Sequence, residues 1–215
     1  MSQKAIKLYR HPKSDQYHCV ELMLSLLGLH TEVVSVDLMG DGHQLPEFLA
    51  GNSFGQVPFI DDDGTVVADC NAILVYLAAT YGDGQWLPRD HLVLARVLCW
   101  LSMTDEDVDS KAGSERWITN SDANCEVDEP LIRILALLKE INLALTVNKF
   151  LVSGKPTIAD VSAYSYLSHA PHGYISLFDY PLVREWLTTV SSLPRFVNVQ
   201  RQERVYEKHD WNIRS

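Results

Sequence analysis

The spacing of hydrophobic and polar positions in the first 82 residues predicts alternating strands and helices. Short apolar runs favour strands, apolar side chains three and four residues apart favour helices, and Gly28 ends the first helical pattern. The predicted strands cover residues 6–9, 32–37, 59–60 and 66–68, and the predicted helices cover residues 17–27, 46–50 and 70–81. The last two strands flank an Asp-Asp-Asp-Gly turn, so they form a hairpin. The order is β-α-β-α-β-β-α.

After residue 82 the pattern changes to helical spacing throughout. Residues 83–91 contain glycine and proline and are predicted to be a linker. Helices are expected at 92–109, 129–146, 157–169, 182–191 and 194–203, with a polar loop at 111–128. We therefore predict an α/β domain of the thioredoxin-like type at 1–82, followed by an all-α helical domain at 92–215.

A second local signal opens the predicted helix at 157–169. Thr157 stands three residues before Asp160, which is the spacing of a capping box. The Thr157 hydroxyl is expected to accept from the Asp160 N–H, and the Asp160 carboxylate from the Thr157 N–H. Loss of such a cap costs about 1 kcal/mol or more.

Bulk composition narrows the classes of function. The chain has 215 residues, of which 47% are apolar, enough for a sizeable core. Its formal charge of −10 argues against nonspecific nucleic-acid binding, which depends on clustered Lys and Arg. No apolar run is long enough to span a membrane, and the first residues lack a signal-peptide pattern, so a cytoplasmic location is expected.

Cysteines and carboxylates do not predict a metal site. The four cysteines lack Cys-x-x-Cys or metal-ligand spacing, and we interpret them as buried small hydrophobic residues: Cys19, Cys70, Cys99 and Cys125. The run Thr-Asp-Glu-Asp-Val-Asp at 104–109 is rich in carboxylates. A solvated helix end explains it better than a metal site does.

Two segments carry candidate chemistry. Ser14 follows the first predicted strand and precedes the first helix, where a serine is either an N-cap or a hydroxyl offered to a ligand at the positive helix end. Val57 precedes Pro58 at the entry to a strand, where a cis peptide bond is plausible. Such a bond would turn the Val57 N–H and C=O outward to pair with an extended peptide ligand.

Four motifs in order resemble those of the glutathione transferases, most of all phi-type and related bacterial members. They are His-Pro-Lys-Ser at 11–14, the His43-Gln44 pair, Asn-Ser-Phe-Gly-Gln-Val-Pro at 52–58 and Asp-Cys-Asn-Ala-Ile at 69–73. The capping box at 157–160 resembles that of the family's second domain. The resemblance implies a homodimeric enzyme that joins the sulfur of glutathione to a small hydrophobic electrophile, or reduces peroxides with it. It implies no cofactor besides the glutathione substrate.

The resemblance also implies a role for each motif residue. Ser14 would donate to the glutathione sulfur and stabilise its thiolate. The Gln56 side chain and the Val57 main chain would hold the peptide backbone of glutathione. His43 and Gln44 would bind the glycine carboxylate, although they can equally be exposed loop residues without a role in binding. Asp69 would take the γ-glutamyl ammonium group, and Cys70 stands where relatives have a carboxylate-binding serine.

Departures from the family pattern leave alternatives open. Asp15 opposes a neighbouring thiolate, Gln44 lacks the usual positive charge, and Cys70 is a weaker donor than serine. A noncatalytic binding or regulatory protein of the same fold is therefore the alternative function, and a mixed disulfide at Cys70 is a further one. A thiol-disulfide oxidoreductase is disfavoured because no Cys-x-x-Cys is present. His18 is either a base or, as we favour, a packed or surface histidine.

Overall fold

The computed structural model describes residues 4–11, 17–36, 57–104, 129–168 and 177–198. Four of the described segments form one mixed sheet: β1 Ile6–Arg10, β2 Thr31–Ser35, β3 Phe59–Asp62 and β4 Thr65–Ala68. The strand order is β2-β1-β3-β4, with β1 parallel to β2 and antiparallel to β3, and β3 antiparallel to β4. The predicted hairpin is confirmed, whereas β2 starts one residue earlier than expected and ends at Ser35.

Two helices pack with this sheet: α1 His18–Leu27 and α2 Cys70–Tyr81. Side chains of a strand alternate between the two faces of the sheet, and Ile6 and Leu8 of β1 are both almost completely buried. They share one hydrophobic core with Ile60 and with residues of both helices, including Leu22 and Leu77. Gly28 ends α1 in a left-handed conformation, as predicted. The expected thioredoxin-like domain is present.

In the described part of the chain after residue 82, the regular elements are four helices: α3 His91–Met103, α4 Glu129–Ala144, α5 Ile158–Ser168 and α6 Pro181–Ser191. Helix α5 contacts α1, α2, α3 and α6. Its small residues Ala159, Ser162 and Ala163 are buried and allow neighbouring elements to approach closely. Helix α5 therefore packs both against α1 and α2, the helices of the sheet domain, and against its neighbours in the helical domain. Among the described residues, no helix is long and apolar enough to cross a membrane.

The prediction of a helix at 194–203 is wrong for residues 194–198, the part of this range that the structure describes. Residues 194–198 form a turn and irregular chain, and Arg195 has a positive φ of 64°. A left-handed residue interrupts a helix, and Pro194 disfavours the helical conformation at the residue before it. Helix α3, the first helix of the helical domain, ends at Met103 and not at the expected residue 109. Residues 105–109, the predicted helix at 46–50 and the predicted loop at 111–128 lie outside the described residues.

Candidate functional site

The register of the sheet brings three chain segments to one edge. Tyr9 pairs with Phe59, and Phe59 pairs with Ala68. The end of β1, the start of β3 and the end of β4 are therefore adjacent. Val57 and Asp69, which flank β3 and β4, thus lie at the same edge as Arg10, the last residue of β1. β1 ends at this edge, and Ser14 follows Arg10 by four residues along the chain.

Val57 and Pro58 are joined by a cis peptide bond, as expected. Val57 is half-buried and Pro58 is buried. Phe59 continues directly into β3 and stacks its ring on Tyr9, with ring centroids 4.2 Å apart. The stacked pair holds the start of β3 against the end of β1.

Asp69 adopts a backbone conformation that is unusual for its residue type. Its φ is 77° and its ψ is 130°, and a side-chain-bearing residue in such a region costs about 1–3 kcal/mol, a strain that clusters at functional sites. Its Oδ1 accepts the Ala72 N–H at 2.8 Å and so caps α2. The residue is exposed, and a carboxylate has lone pairs for further donors. Asp69 thus presents an anion at the shared edge.

Cys70 is the first residue of α2 and is half-buried. Its side chain packs partly against the hydrophobic core. The interpretation of the cysteines as buried hydrophobic residues is confirmed for Cys19, which is buried, and wrong for Cys99, which is exposed on α3. Cys125 lies outside the described residues.

Four of the seven predicted site residues lie outside the described residues: Ser14, His43, Gln44 and Gln56. The structure does locate the start of α1, where Tyr17 occupies the N-cap position. Ser14 itself lies outside the described residues, so both of its interpretations, a helix N-cap and a ligand-contacting hydroxyl, stay predictions.

The sequence did not reveal a polar network beside Cys70. Asn71 donates its Nδ2–H to the Leu101 carbonyl at 3.2 Å and accepts from the Ser162 hydroxyl at 3.4 Å. The Ser162 hydroxyl also lies 2.7 Å from that of Thr104. These bonds tie the first turn of α2 to helices α3 and α5. An asparagine directly after Asp-Cys was the only signal, because its partners lie 30 and 91 residues away.

A second unpredicted contact lies where β1 meets α1. The guanidinium carbon of Arg10 lies 4.0 Å from the ring centroid of Tyr17, a cation–π contact. Tyr17 is buried, with 6% exposure. The pair places a positive charge between the end of β1 and the start of α1.

His18 is a packed residue and not an accessible base. Its Nδ1 lies 2.8 Å from the Ser165 hydroxyl, and its Nε2 lies 3.0 Å from the Val197 carbonyl oxygen. A carbonyl oxygen only accepts, so Nε2 carries a hydrogen. The favoured interpretation of His18 is confirmed.

The capping box at the start of α5 is present with one difference. Asp160 Oδ2 accepts the Thr157 N–H at 2.9 Å, as predicted, but the Thr157 hydroxyl accepts from Ala159 and not from Asp160. The other carboxylate oxygen, Oδ1, accepts from the Leu151 N–H and from the Trp186 indole N–H. Burial raises the pKa of the Asp160 carboxyl, and these hydrogen bonds oppose the increase. The local box is thus part of a larger buried junction.

Within the ranges that the structure describes, no group of three or more His, Cys, Asp or Glu side chains could hold a metal ion. The carboxylates at 105–109 fall outside these ranges, so the choice between a metal site and a solvated helix end stays a prediction.

Two family descriptions match the chain: "Glutathione S-transferase, N-terminal domain" over residues 4–79 and "Glutathione S-transferase, C-terminal domain" over residues 118–194. Glutathione S-transferase 3 of Zea mays is 28% identical over 202 residues, covering 89% of this chain and 91% of that protein. Glutathione S-transferase F13 of Arabidopsis thaliana is 28% identical and covers 91% and 94%. A crystal structure of glutathione S-transferase from Pseudomonas fluorescens is 29% identical, covers 92% and 100%, and superposes with a TM-score of 0.74.

Proposed function

Because this chain belongs to the glutathione S-transferase family, we propose that it binds reduced glutathione at the shared sheet edge and transfers its sulfur to a small hydrophobic electrophile. The observation that carries the proposal is the register that brings Val57, just before β3, and Asp69, just after β4, to the same edge of the sheet, where β1 also ends. A main-chain pairing group and an anion there match the peptide backbone and the ammonium group of glutathione.

Ser14 is proposed to donate its hydroxyl hydrogen to the glutathione sulfur. A free thiol has a pKa near ~8.5 and is largely protonated at neutral pH. A pKa lowered by two units corresponds to about 2.7 kcal/mol, within reach of a charge-assisted hydrogen bond together with the positive end of α1. Peroxide reduction through the same thiolate is included in the proposal.

The remaining predicted residues are proposed to hold the rest of the tripeptide. Val57 pairs with the cysteinyl backbone through its main chain, supported by the Gln56 side chain, and Asp69 binds the γ-glutamyl ammonium group. The γ-glutamyl carboxylate lies against the start of α2 at Cys70, because the N-terminal end of a helix favours an anion. His43 and Gln44 take the glycine carboxylate. Glutathione is the substrate, and no separate cofactor is proposed.

The wider properties of the family extend the proposal. We infer a homodimer, a cytoplasmic location and a part in detoxification, and we place the domain boundaries at 82 and 92. The electrophile would bind between the two domains, where apolar pockets commonly form. Sedimentation velocity tests the dimer directly, because a monomer at micromolar concentration would contradict it.

Calorimetric titration with reduced glutathione tests the site. We expect binding in the micromolar to low-millimolar range and a severalfold loss of affinity in Asp69→Asn, which keeps an oxygen to cap α2 but removes the charge. Asp90→Asn is the matched control, because Asp90 caps α3 by accepting from Leu92 and Val93. Equal affinities of Asp69→Asn and the wild type would remove Asp69 from the site, and no heat at several millimolar glutathione would contradict the proposed function.

A further inference from the structure

We propose that His18 is a positioning residue that fixes the N-terminal end of α1 against the helical domain. This end, where the glutathione sulfur is proposed to bind, is called the sulfur-activating end of α1. The inference rests on the proposed function, because it assumes that the thiol lies at this helix end. His18 is the first residue of α1 and has only 2% of its surface exposed. Its ring therefore lies inside the junction between the two domains.

Both ring nitrogens of His18 are used to make this connection. Nε2–H donates to the Val197 carbonyl, and in the neutral ring Nδ1 accepts from the Ser165 hydroxyl. Ser165 belongs to α5, and Val197 belongs to the segment after α6. One side chain thus joins the first turn of α1 to two separate elements, 147 and 179 residues away along the chain.

The segment at 195–197 contacts α1 near both of its ends. The Ser25 hydroxyl donates to the Arg195 carbonyl at 2.7 Å, near the far end of α1. Beyond it, the Arg195 guanidinium lies so near Gly28 that an added Cβ would overlap it. Arg195 therefore lies at the end of α1, and Val197 lies at its start. His18 makes the contact nearest the sulfur-activating end.

Aromatic packing gives this contact a rigid support. The Tyr164 ring of α5 lies 6.4 Å from the His18 ring, and 5.2 Å from the Phe196 ring in an edge-to-face arrangement. Tyr164 also lies 6.3 Å from Trp186, which donates to Asp160. Aromatic pairs at such distances stabilise a structure beyond the effect of their buried area. The orientation of the first turn of α1 is thus coupled to the core of the helical domain.

The reaction should be sensitive to this coupling. A helix end stabilises an anion only within its first turn, and a displacement of about 1 Å in a reacting group can cost up to about a hundredfold in rate. His18 would act on the sulfur through the position of α1, because its own nitrogens are engaged with Ser165 and Val197. A general base would instead need to reach the thiol proton directly.

Two substitutions each keep one of the two hydrogen bonds of His18 and remove the other. In His18→Gln the side-chain amide reaches about as far as Nε2 and can still donate to Val197, whereas in His18→Asn it reaches about as far as Nδ1 and can still pair with Ser165. Ser25→Ala is the matched control, because it removes the bond to the same segment at the far end of α1. Retained secondary structure and cooperative unfolding identify the folded variants.

The test measures kcat, KM for glutathione and the pKa of the bound thiol from the pH dependence of thiolate absorbance. We expect both His18 variants to lower kcat about tenfold and to raise the thiol pKa, with KM changed less than about twofold and Ser25→Ala close to wild type. Unchanged kcat and thiol pKa in folded His18→Gln and His18→Asn would overturn the role of His18 alone. A wild-type protein that neither binds nor conjugates glutathione would overturn the proposed function and this inference together.

Discussion

Asp160 and Trp186 are joined by a buried hydrogen bond of 2.9 Å from the indole N–H to carboxylate Oδ1. The same carboxylate accepts main-chain N–H groups from Leu151 and Thr157. It therefore connects the start of α5, the preceding loop and α6 at a point with no solvent exposure. The junction is a stability element, away from the sheet edge where we place glutathione.

Asp160→Ala is expected to lower the melting temperature without changing glutathione affinity. The substitution leaves several buried donors unsatisfied, at about 1–3 kcal/mol for each group. Asp90→Ala is the control, because this exposed cap should cost only about 1 kcal/mol. Calorimetric unfolding and glutathione titration of both variants check the prediction, and an unaltered melting temperature in Asp160→Ala would refute it.

The buried carboxyl also predicts a pH dependence of stability. Burial raises the pKa of Asp160 above its usual value near ~4. Between the unfolded and the folded pKa, the folded protein holds a proton that the unfolded chain has already lost. The contribution of this group to the free energy of unfolding is therefore fully present below about pH 4 and falls as the pH rises through the folded pKa.

Urea unfolding from pH 4 upward in the wild type and in Asp160→Asn isolates this group. We expect the wild-type free energy of unfolding to fall with pH relative to that of the variant, since Asn does not titrate. The opposite slope, with the difference growing as pH rises, would mean that the hydrogen bonds from Leu151, Thr157 and Trp186 outweigh desolvation.

Cys70→Ser is expected to tighten glutathione binding. Serine is a better donor than a thiol, and a hydrogen bond to a charged group contributes about 1.5–3 kcal/mol against a weaker thiol contact. Titration calorimetry should show an affinity gain of roughly fivefold or more, corresponding to about 1 kcal/mol. The exposed Cys99 offers a control, because Cys99→Ser should leave the affinity unchanged. A loss of affinity in Cys70→Ser would show that the thiol itself is preferred there.

Ser14→Ala is expected to reduce turnover tenfold or more, because the glutathione sulfur loses its proposed hydroxyl donor. The pH profile of kcat/KM should shift upward as the thiol pKa rises. Ser102→Ala removes an exposed hydroxyl that donates to Leu98 within α3 and should have no effect. Full activity in Ser14→Ala with a standard aromatic electrophile would exclude Ser14 from the mechanism.

Local patterns determined much of the fold. Periodicity predicted the six described helices to within a few residues at most ends, and the Asp-Asp-Asp-Gly turn predicted the β3–β4 hairpin. The Thr157–Asp160 spacing predicted the main-chain bond between them. These features depend on hydrogen bonds and side-chain directions over a few residues, so the order of amino acids specifies them directly.

Other features were decided only by tertiary packing. The order of amino acids marked His18 and Asn71 as polar residues on helices, but their partners at Ser165, Val197 and Ser162 lie 91 to 179 residues away. The prediction of a helix at 194–203 was wrong over its described residues, because Arg195 takes a left-handed conformation where the chain turns to follow α1. Long-range contacts depend on how completed elements pack, which apolar periodicity within one element does not encode.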